Sequence, residues 1–260
     1  MGKIDKVLIY VPAYNVSHTL AVVIDRIPAE LKRRAGEILV VDNASSDNTY
    51  LTAVQYKDKR GLNNMEIIRN PRNLGYGGSQ KQAYRRAIEK GFDAVVMLHG
   101  DAQYAPEKIP GLLTTLEQQD ADMVFGSRML GDPLAGGMPL WKYVGNRALT
   151  KLQNLVLGLN ISEYHSGFRV YRCSALRQID LDSCSDDYHF DTDILIQLRL
   201  HEMKISESPI PTHYGEESRS PSTLEIASYS LNILRALVDF VVRYKLSGRS
   251  RRPYQKAANA

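Results

Sequence analysis

The chain has 260 residues, 43% hydrophobic and 24% charged, the balance of a soluble globular protein able to bury one large core. Its net charge of +4 is a tail property: Arg243, Lys245, Arg249, Arg251, Arg252 and Lys256 fall in 243–260 without an acid, leaving 27 basic against 29 acidic residues elsewhere, which argues against a nucleic-acid-binding core. Two cysteines, Cys173 and Cys184, are too few for a disulfide framework and point to a reducing compartment.

In chain order, short apolar runs alternate with amphipathic segments. The runs 6–13, 37–43, 65–70, 94–101 and 122–129 have the length and β-branched content of buried strands. Segments 17–34, 46–61, 76–91 and 106–119 have helical spacing and start signals, such as Ser46 with Asp47 and Pro106 with Glu107. This alternation predicts an α/β fold, a mostly parallel sheet with helices on both faces. The first residues read directly as a strand without a signal-peptide pattern, and no run of about 18 apolar residues occurs. The expectation is a cytoplasmic protein, at most peripheral on the cytoplasmic membrane face.

Ligands of such sheets bind outside the carboxyl ends of the strands. The residues after each run are Pro12, Ala13, Tyr14 and Asn15; Asp42 and Asn43; Asn73, Leu74 and Gly75; His99, Gly100, Asp101, Ala102 and Gln103; and Gly126, Ser127 and Arg128. Asp101, followed two residues on by the amide of Gln103, suits a hard divalent cation that leaves positions for phosphate oxygens. Helix capping is the competing role for Asp101, and turn chemistry for Asp42. The stretch NLGYGGSQ (73–80) lacks the glycine spacing of a dinucleotide loop and there is no Walker A sequence; it reads as a turn approached closely by a ligand, opening a helix over 79–90. His18, His201 and His213 read as solvated or structural.

The stretches VPAYN, ILVVDNASSDNT, RNLGYGGS, HGDAQYAPEKI, VFGSRM and HSGFRVYR, in this order across roughly 5–215, resemble family 2 glycosyltransferases of the GT-A fold, most closely the polyprenyl-phosphate (dolichol-phosphate mannose synthase-like) branch. The resemblance implies a nucleotide-diphosphate-sugar donor, a Mg²⁺ or Mn²⁺ ion and inversion at the anomeric carbon. By position it implies donor contacts from Pro12, Ala13, Tyr14, Asn15, Asp42, Asn73, Gly75, Gly100 and Asp101. Asp101 and Gln103 would hold the metal, with His99 as a further candidate ligand. Arg128 would meet phosphate charge, and Ser166, Gly167 and Arg169 would shape the sugar and acceptor side. His99 stands where that branch carries the first acid of Asp-x-Asp-x-Gln, Asn43 replaces the usual second Asp of the nucleoside motif, and Val16 stands where an acid is common.

Two acceptors stay open. A hydroxyl needs a positioned base, for which Asp191 and Asp193 in YHFDTDILIQL (188–198) qualify unless they only favour a helix N-terminus. A phosphate needs none, and Arg128, Lys142, Arg147 and Arg169 suit it. The implied activity is transfer to a polyprenyl phosphate or another lipid-linked or cell-envelope glycan; the alternatives are a hydroxyl-directed transferase in polysaccharide synthesis and a catalytically weak nucleotide-sugar-binding relative. Residues 224–245 read as an amphipathic helix too polar to span a bilayer, suited to a membrane surface, a homodimer, or docking on its own domain. The expected organisation is a catalytic domain over 1–220, this helix within 221–246 and a basic tail over 247–260.

Overall fold

The computed structural model describes residues 3–211 and 223–242; the basic tail and His213 lie outside them. The elements in chain order are β1 (Val7–Ala13), α1 (Leu20–Arg26), α2 (Ala29–Arg34), β2 (Glu37–Asp42), α3 (Thr49–Arg60), β3 (Met65–Arg69), α4 (Tyr76–Glu89), β4 (Ala94–Met97), α5 (Ile109–Gln118) and β5 (Met123–Ser127). There follow α6 (Leu140–Leu157), β6 (Arg169–Arg172), α7 (Cys173–Leu176), α8 (Phe190–Leu200), β7 (Ile205–Pro209) and α9 (Thr223–Phe240). One seven-stranded sheet has the order β3-β2-β1-β4-β6-β5-β7. Only β6 runs antiparallel to its neighbours. The sheet is therefore mostly parallel, as the strand–helix alternation predicts.

Alternating side chains feed two cores, one on each face. From β1, Leu8 and Tyr10 join a cluster with Ala83 and Tyr84 of α4 and Phe190 and Ile194 of α8. Val7, Ile9 and Val11 join the opposite cluster with Leu20 and Val23 of α1, Ala53 of α3 and Leu112 of α5. Because both faces are covered, β1, β2 and β4 read as continuous apolar runs rather than alternating ones.

The sequence-based helix over 17–34 is two helices, because Ile27 before Pro28 is extended (φ −60°, ψ 128°), as the proline ring demands of its predecessor. The run 94–101 is strand only to Met97, and 98–101 turn out into the sheet edge. A 3₁₀ turn, Pro106–Lys108, precedes α5. The helix begins at Tyr76, where the helical segment 76–91 starts and three residues ahead of the narrower bounds 79–90, so Gly77 lies in its first turn. A Cβ on Gly77 would overlap the Ser185 carbonyl oxygen and lie 2.6 Å from Phe190 Cβ. Here the close approach comes from the protein's own segment leading into α8.

Candidate active site

Six strands point the same way, so the ends of β1, β2, β4 and β5 line one edge of the sheet. The antiparallel β6 begins at that same edge, which delivers Ser166, Gly167 and Phe168 to it. Three non-glycine residues in the left-handed region sit in the turns there: Asn15 (φ 53°), Ala44 (φ 61°) and Ala102 (φ 63°). Such conformations cost on the order of 1–3 kcal/mol each and persist where surrounding contacts over-determine them.

Hydrogen bonds between the loops supply those contacts. The Asn15 amide N–H donates to Ser45 Oγ (2.9 Å), and Asn15 Oδ1 accepts from the Ser46 N–H (2.9 Å). Asn43 Oδ1 accepts from Asn70 Nδ2 (2.9 Å) and the Leu74 N–H (3.0 Å), while its Nδ2 donates to Asn73 Oδ1 (2.9 Å). An aspartate at 43 could not make the last bond, so asparagine here clips the β2 turn to the 70–75 turn. Asn15, Asn43 and Asn73 thus spend amide atoms on the scaffold. Asp42 is fully buried: Oδ1 accepts the Ser45 N–H (3.0 Å), and Oδ2 has Arg69 Nε at 3.3 Å without a well-formed hydrogen bond. Pro12 and Ala13 hold neighbouring turns through their carbonyls, which accept from Gly100 N–H (3.2 Å) and Asn43 N–H (2.9 Å). Tyr14 is exposed at the rim.

The turn after β4 brings His99, Asp101 and Gln103 to this edge. Asp101 is half-buried, its Oδ1 accepts the Gln103 N–H (3.1 Å), and no cationic side chain pairs with it among the described residues. His99 packs between Tyr76 and Tyr104. Burial pushes its pKa down, against the nearby carboxylates of Asp101 and Asp191, so the ring is neutral at pH 7. Its Nε2 lies 3.4 Å from the Tyr76 hydroxyl, and a Cβ on Gly167 would overlap that nitrogen; glycine is required where these two motifs touch. No group of three or more His, Cys, Asp or Glu poised to hold a metal occurs among the described residues. One carboxylate with an amide and a neutral imidazole fits a hard cation whose remaining ligands are substrate phosphate oxygens, not a cage built by the protein alone.

On the other side, Asp191 opens α8. Its Oδ1 faces Arg169 Nη1 at 3.0 Å and its Oδ2 accepts from the Tyr76 hydroxyl (3.1 Å). Burial raises its pKa, and Arg169, His99 and Tyr76 pull the other way. Arg169 does not present itself to an acceptor: it is fully buried, donates to the Ser166 and Tyr164 carbonyls (2.8 and 3.0 Å), and lies over the Phe125 ring. Ser166 is likewise fully buried. Asp193 does not join the site either. A two-residue step turns it about 200° around the helix, where its Oδ2 accepts the Ser185 N–H (2.9 Å).

Arg128 is nearly buried against Glu163, which accepts from its main-chain N–H (2.8 Å), from Nε (2.9 Å) and from Nη2. Its charge is compensated inside the protein before any phosphate arrives. Lys142 feels both members of the pair, and burial lowers its pKa. Arg147, one turn on, is exposed.

Sequence reasoning passed over Tyr76, Tyr104, Glu163, His165 and Tyr229. Tyr104 accepts the Gly167 N–H (2.7 Å). The His165 ring is 3.1 Å from the Tyr229 hydroxyl of α9 and is pushed down to about 4 by burial. The aromatic inside GYGG and the one following HGDAQ were the available signals for Tyr76 and Tyr104; Glu163 carried none.

Comparisons with known proteins agree with this layout. The low-salt glycan biosynthesis hexosyltransferase Agl6 of Haloferax volcanii is 32% identical over 211 residues, 80% of this chain and 48% of that protein, so this chain spans about half of that relative's length. The undecaprenyl-phosphate mannosyltransferase of Micrococcus luteus is 29% identical over 208 residues, 79% of this chain and 82% of the relative. A UDP-N-acetylglucosamine–dolichyl-phosphate N-acetylglucosaminyltransferase of Methanococcus voltae is 28% identical over 230 residues, 84% and 90% of the two chains. The crystal structure of glucosyl-3-phosphoglycerate synthase from Mycobacterium tuberculosis, in complex with Mn²⁺, uridine diphosphate and glucosyl-3-phosphoglycerate, matches with a TM-score of 0.68. It covers 91% of this chain and 80% of that one at 18% identity, which establishes the shared GT-A architecture and nothing finer. The model of glycosyl transferase family 2 matches residues 8–180, from the first strand to beyond β6, and the chain belongs to that family.

Proposed function

We propose that the protein transfers a sugar, with inversion, from a nucleotide-diphosphate donor to a polyprenyl phosphate. The observation that carries the reading is Asp101: a carboxylate without a counter-charge among the described residues, in a strained turn at the edge where the strand ends converge. Asp101 and Gln103 would hold a divalent cation, which when bound neutralises charge developing on the leaving diphosphate. The undecaprenyl-phosphate and dolichyl-phosphate relatives support the acceptor class.

The site's own electrostatics favour the same acceptor. Asp191, the carboxylate best placed to deprotonate a hydroxyl, is engaged by Arg169 and Tyr76. An ionised phosphate needs no base: its oxygen attacks the anomeric carbon from the face opposite the diphosphate, and the bond from that carbon to the diphosphate oxygen breaks. Lys142 stands on the acceptor side beside the Arg128–Glu163 pair, where it orients an incoming anion. Asp42 and the 12–15 turn take the nucleoside side.

The test is a panel of radiolabelled nucleotide sugars with Mg²⁺ or Mn²⁺ and a short-chain polyprenyl phosphate in detergent. One donor should give a lipid-extractable product, and Asp101→Asn should abolish it while leaving the thermal melt unchanged. Donor hydrolysis without lipid product, with transfer to a saccharide hydroxyl, would replace the phosphate acceptor by a hydroxyl. Donor binding without turnover would make the protein a nucleotide-sugar-binding relative.

A further inference from the structure

Helix α6 has two apolar sides: Leu149, Val156 and Leu157 pack on the core, and a second apolar stripe faces out. Its buried positions include Thr150 and Gln153, and Asn146 and Asn154 also turn inward, donating to Glu163 Oε1 (3.0 Å) and the Ile161 carbonyl (2.8 Å). Gln153 is fully buried, with neither amide atom hydrogen-bonded. The opposite face carries Trp141 (61% exposed), Val144 (56%), Ala148, Leu152 (37%) and Leu155 (78%). A helix on a water-exposed surface normally turns one apolar stripe to the core and a polar face to water, so the outer stripe is in excess of what docks α6 on its own domain. This stripe runs about 21 Å along the helix at 1.5 Å per residue, and contiguous apolar surface of that kind marks an interaction site.

We propose that the outer face of α6 docks on an anionic lipid bilayer, seating the acceptor side of the site at the headgroup level. Charge selects this occupant. Residues 140–157 contain Lys142, Arg147 and Lys151 and no acid, and Arg147 and Lys151 are exposed on the flank of the stripe. A helix with an apolar face, basic flanks and an aromatic at one end is suited to lie in the interface plane. Pairing α6 with α6 of a second copy would set like charges against each other. The inner side of the same helix reaches the site, through Asn146 on Glu163 and Lys142 beside Arg128. One short helix therefore joins the bilayer face to the acceptor side. Helix α9, which touches α6, docks on the domain through Ile233, Leu237 and Phe240 and leaves Leu231, Leu234 and Val238 exposed.

The inference rests on the lipid-phosphate reading only for the meaning of the docking; its test involves neither donor nor acceptor. Trp141 is the sole tryptophan, so its emission reports on this face alone. On adding phosphatidylglycerol–phosphatidylcholine vesicles to the full chain at low salt, emission should shift to the blue and be quenched by lipids brominated in the acyl chains. Pure phosphatidylcholine vesicles should give a weaker response. Val144→Glu and Leu155→Glu, at exposed positions that leave the melt unchanged, should each weaken vesicle affinity by about tenfold or more, since a charge replaces buried apolar area. Absence of a shift overturns the proposal, as does co-sedimentation with vesicles while Trp141 stays in water, which would put binding elsewhere. A blue shift on concentrating the protein without lipid, with a dimer mass in light scattering, assigns the face to a second copy and overturns it too. An unmodified chain that ignores anionic vesicles yet transfers to a detergent-solubilised acceptor would sink this inference alone; failed transfer with intact vesicle binding would sink only the functional reading.

Discussion

Replacing Glu163 by glutamine removes the charge that compensates Arg128 while keeping the side chain's shape. Glu163 is fully buried and accepts hydrogen bonds from Arg128 N–H, Nε and Nη2 and from Asn146 Nδ2. Breaking one side of such a pair leaves an uncompensated buried charge and costs about 3–5 kcal/mol, a large share of the ~5–15 kcal/mol of a typical domain. At ~2–4 °C per kcal/mol for a chain of this size, the melt should fall by about 6–20 °C. Burial alone would raise the Glu163 pKa, but the charge of Arg128 and its hydrogen bonds reverse that and hold it below the ordinary glutamate value. A lowered carboxylate pKa stabilises fully above the unfolded value and loses that contribution as pH falls through the folded one. The gap between wild type and Glu163→Gln in urea titrations should therefore be full at pH 7 and close as the pH drops below about 4.3, the unfolded glutamate range. Removing both charges, as in Arg128→Met with Glu163→Leu, should cost less than the sum of the single changes. A Glu163→Gln loss under about 1 kcal/mol at pH 7, or a gap that persists unchanged into acid, would refute the buried-pair argument.

Restoring the acid in His99→Asp puts a harder ligand beside Asp101 and should move the Mn²⁺ to Mg²⁺ preference of donor binding toward Mg²⁺; calorimetric titrations with identical metal profiles would show that position 99 does not touch the cation. Gly77→Ala should lower stability by about 1–3 kcal/mol through the overlap with Ser185 and Phe190, although alanine is the better helix former; a raised melting temperature would contradict the close packing. Burial pushes the thiols of Cys173 and Cys184 up to about 12, so a disulfide reagent at pH 8 should label them only as fast as the protein opens. Stoichiometric labelling within the mixing time would show that these positions are accessible.

The parts of the fold legible in the sequence are those where pattern follows burial. β1, β2 and β4 are covered on both faces, and their unbroken apolar runs gave them away. Helix α6 is the opposite case: polar Thr150 and Gln153 are buried beside Leu157 while Trp141, Val144, Leu152 and Leu155 face out, and the sequence reading assigned no element there although Pro139 and Gly158 bound it. The strands β6 and β7 are only four and five residues long, too short for a period to declare itself. The order of motifs was enough to expect the turns of the site at one edge, where the structure has them, but direction on an element was beyond reach. Asp191 and Asp193 are alike in sequence, yet one meets Arg169 and the other the Ser185 N–H. Asn15 could suggest a left-handed turn; Ala44 and Ala102 could not, because contacts from distant loops impose it.

The single reversed strand also constrains the order in which the sheet can be assembled. β4 is bonded on one side to β1 and on the other to β6, and β5 is bonded only to β6 and β7. A chain emerging from the ribosome can thus complete β3-β2-β1-β4 once residue 97 is available, while β5 has no place in the sheet until residue 172 has followed it. During the intervening synthesis, the edge of β4 and the strand β5 are both open to wrong partners. The β3-β2-β1-β4 half is ready early; the β6-β5-β7 half closes only when Arg169–Arg172 slides between two waiting strands.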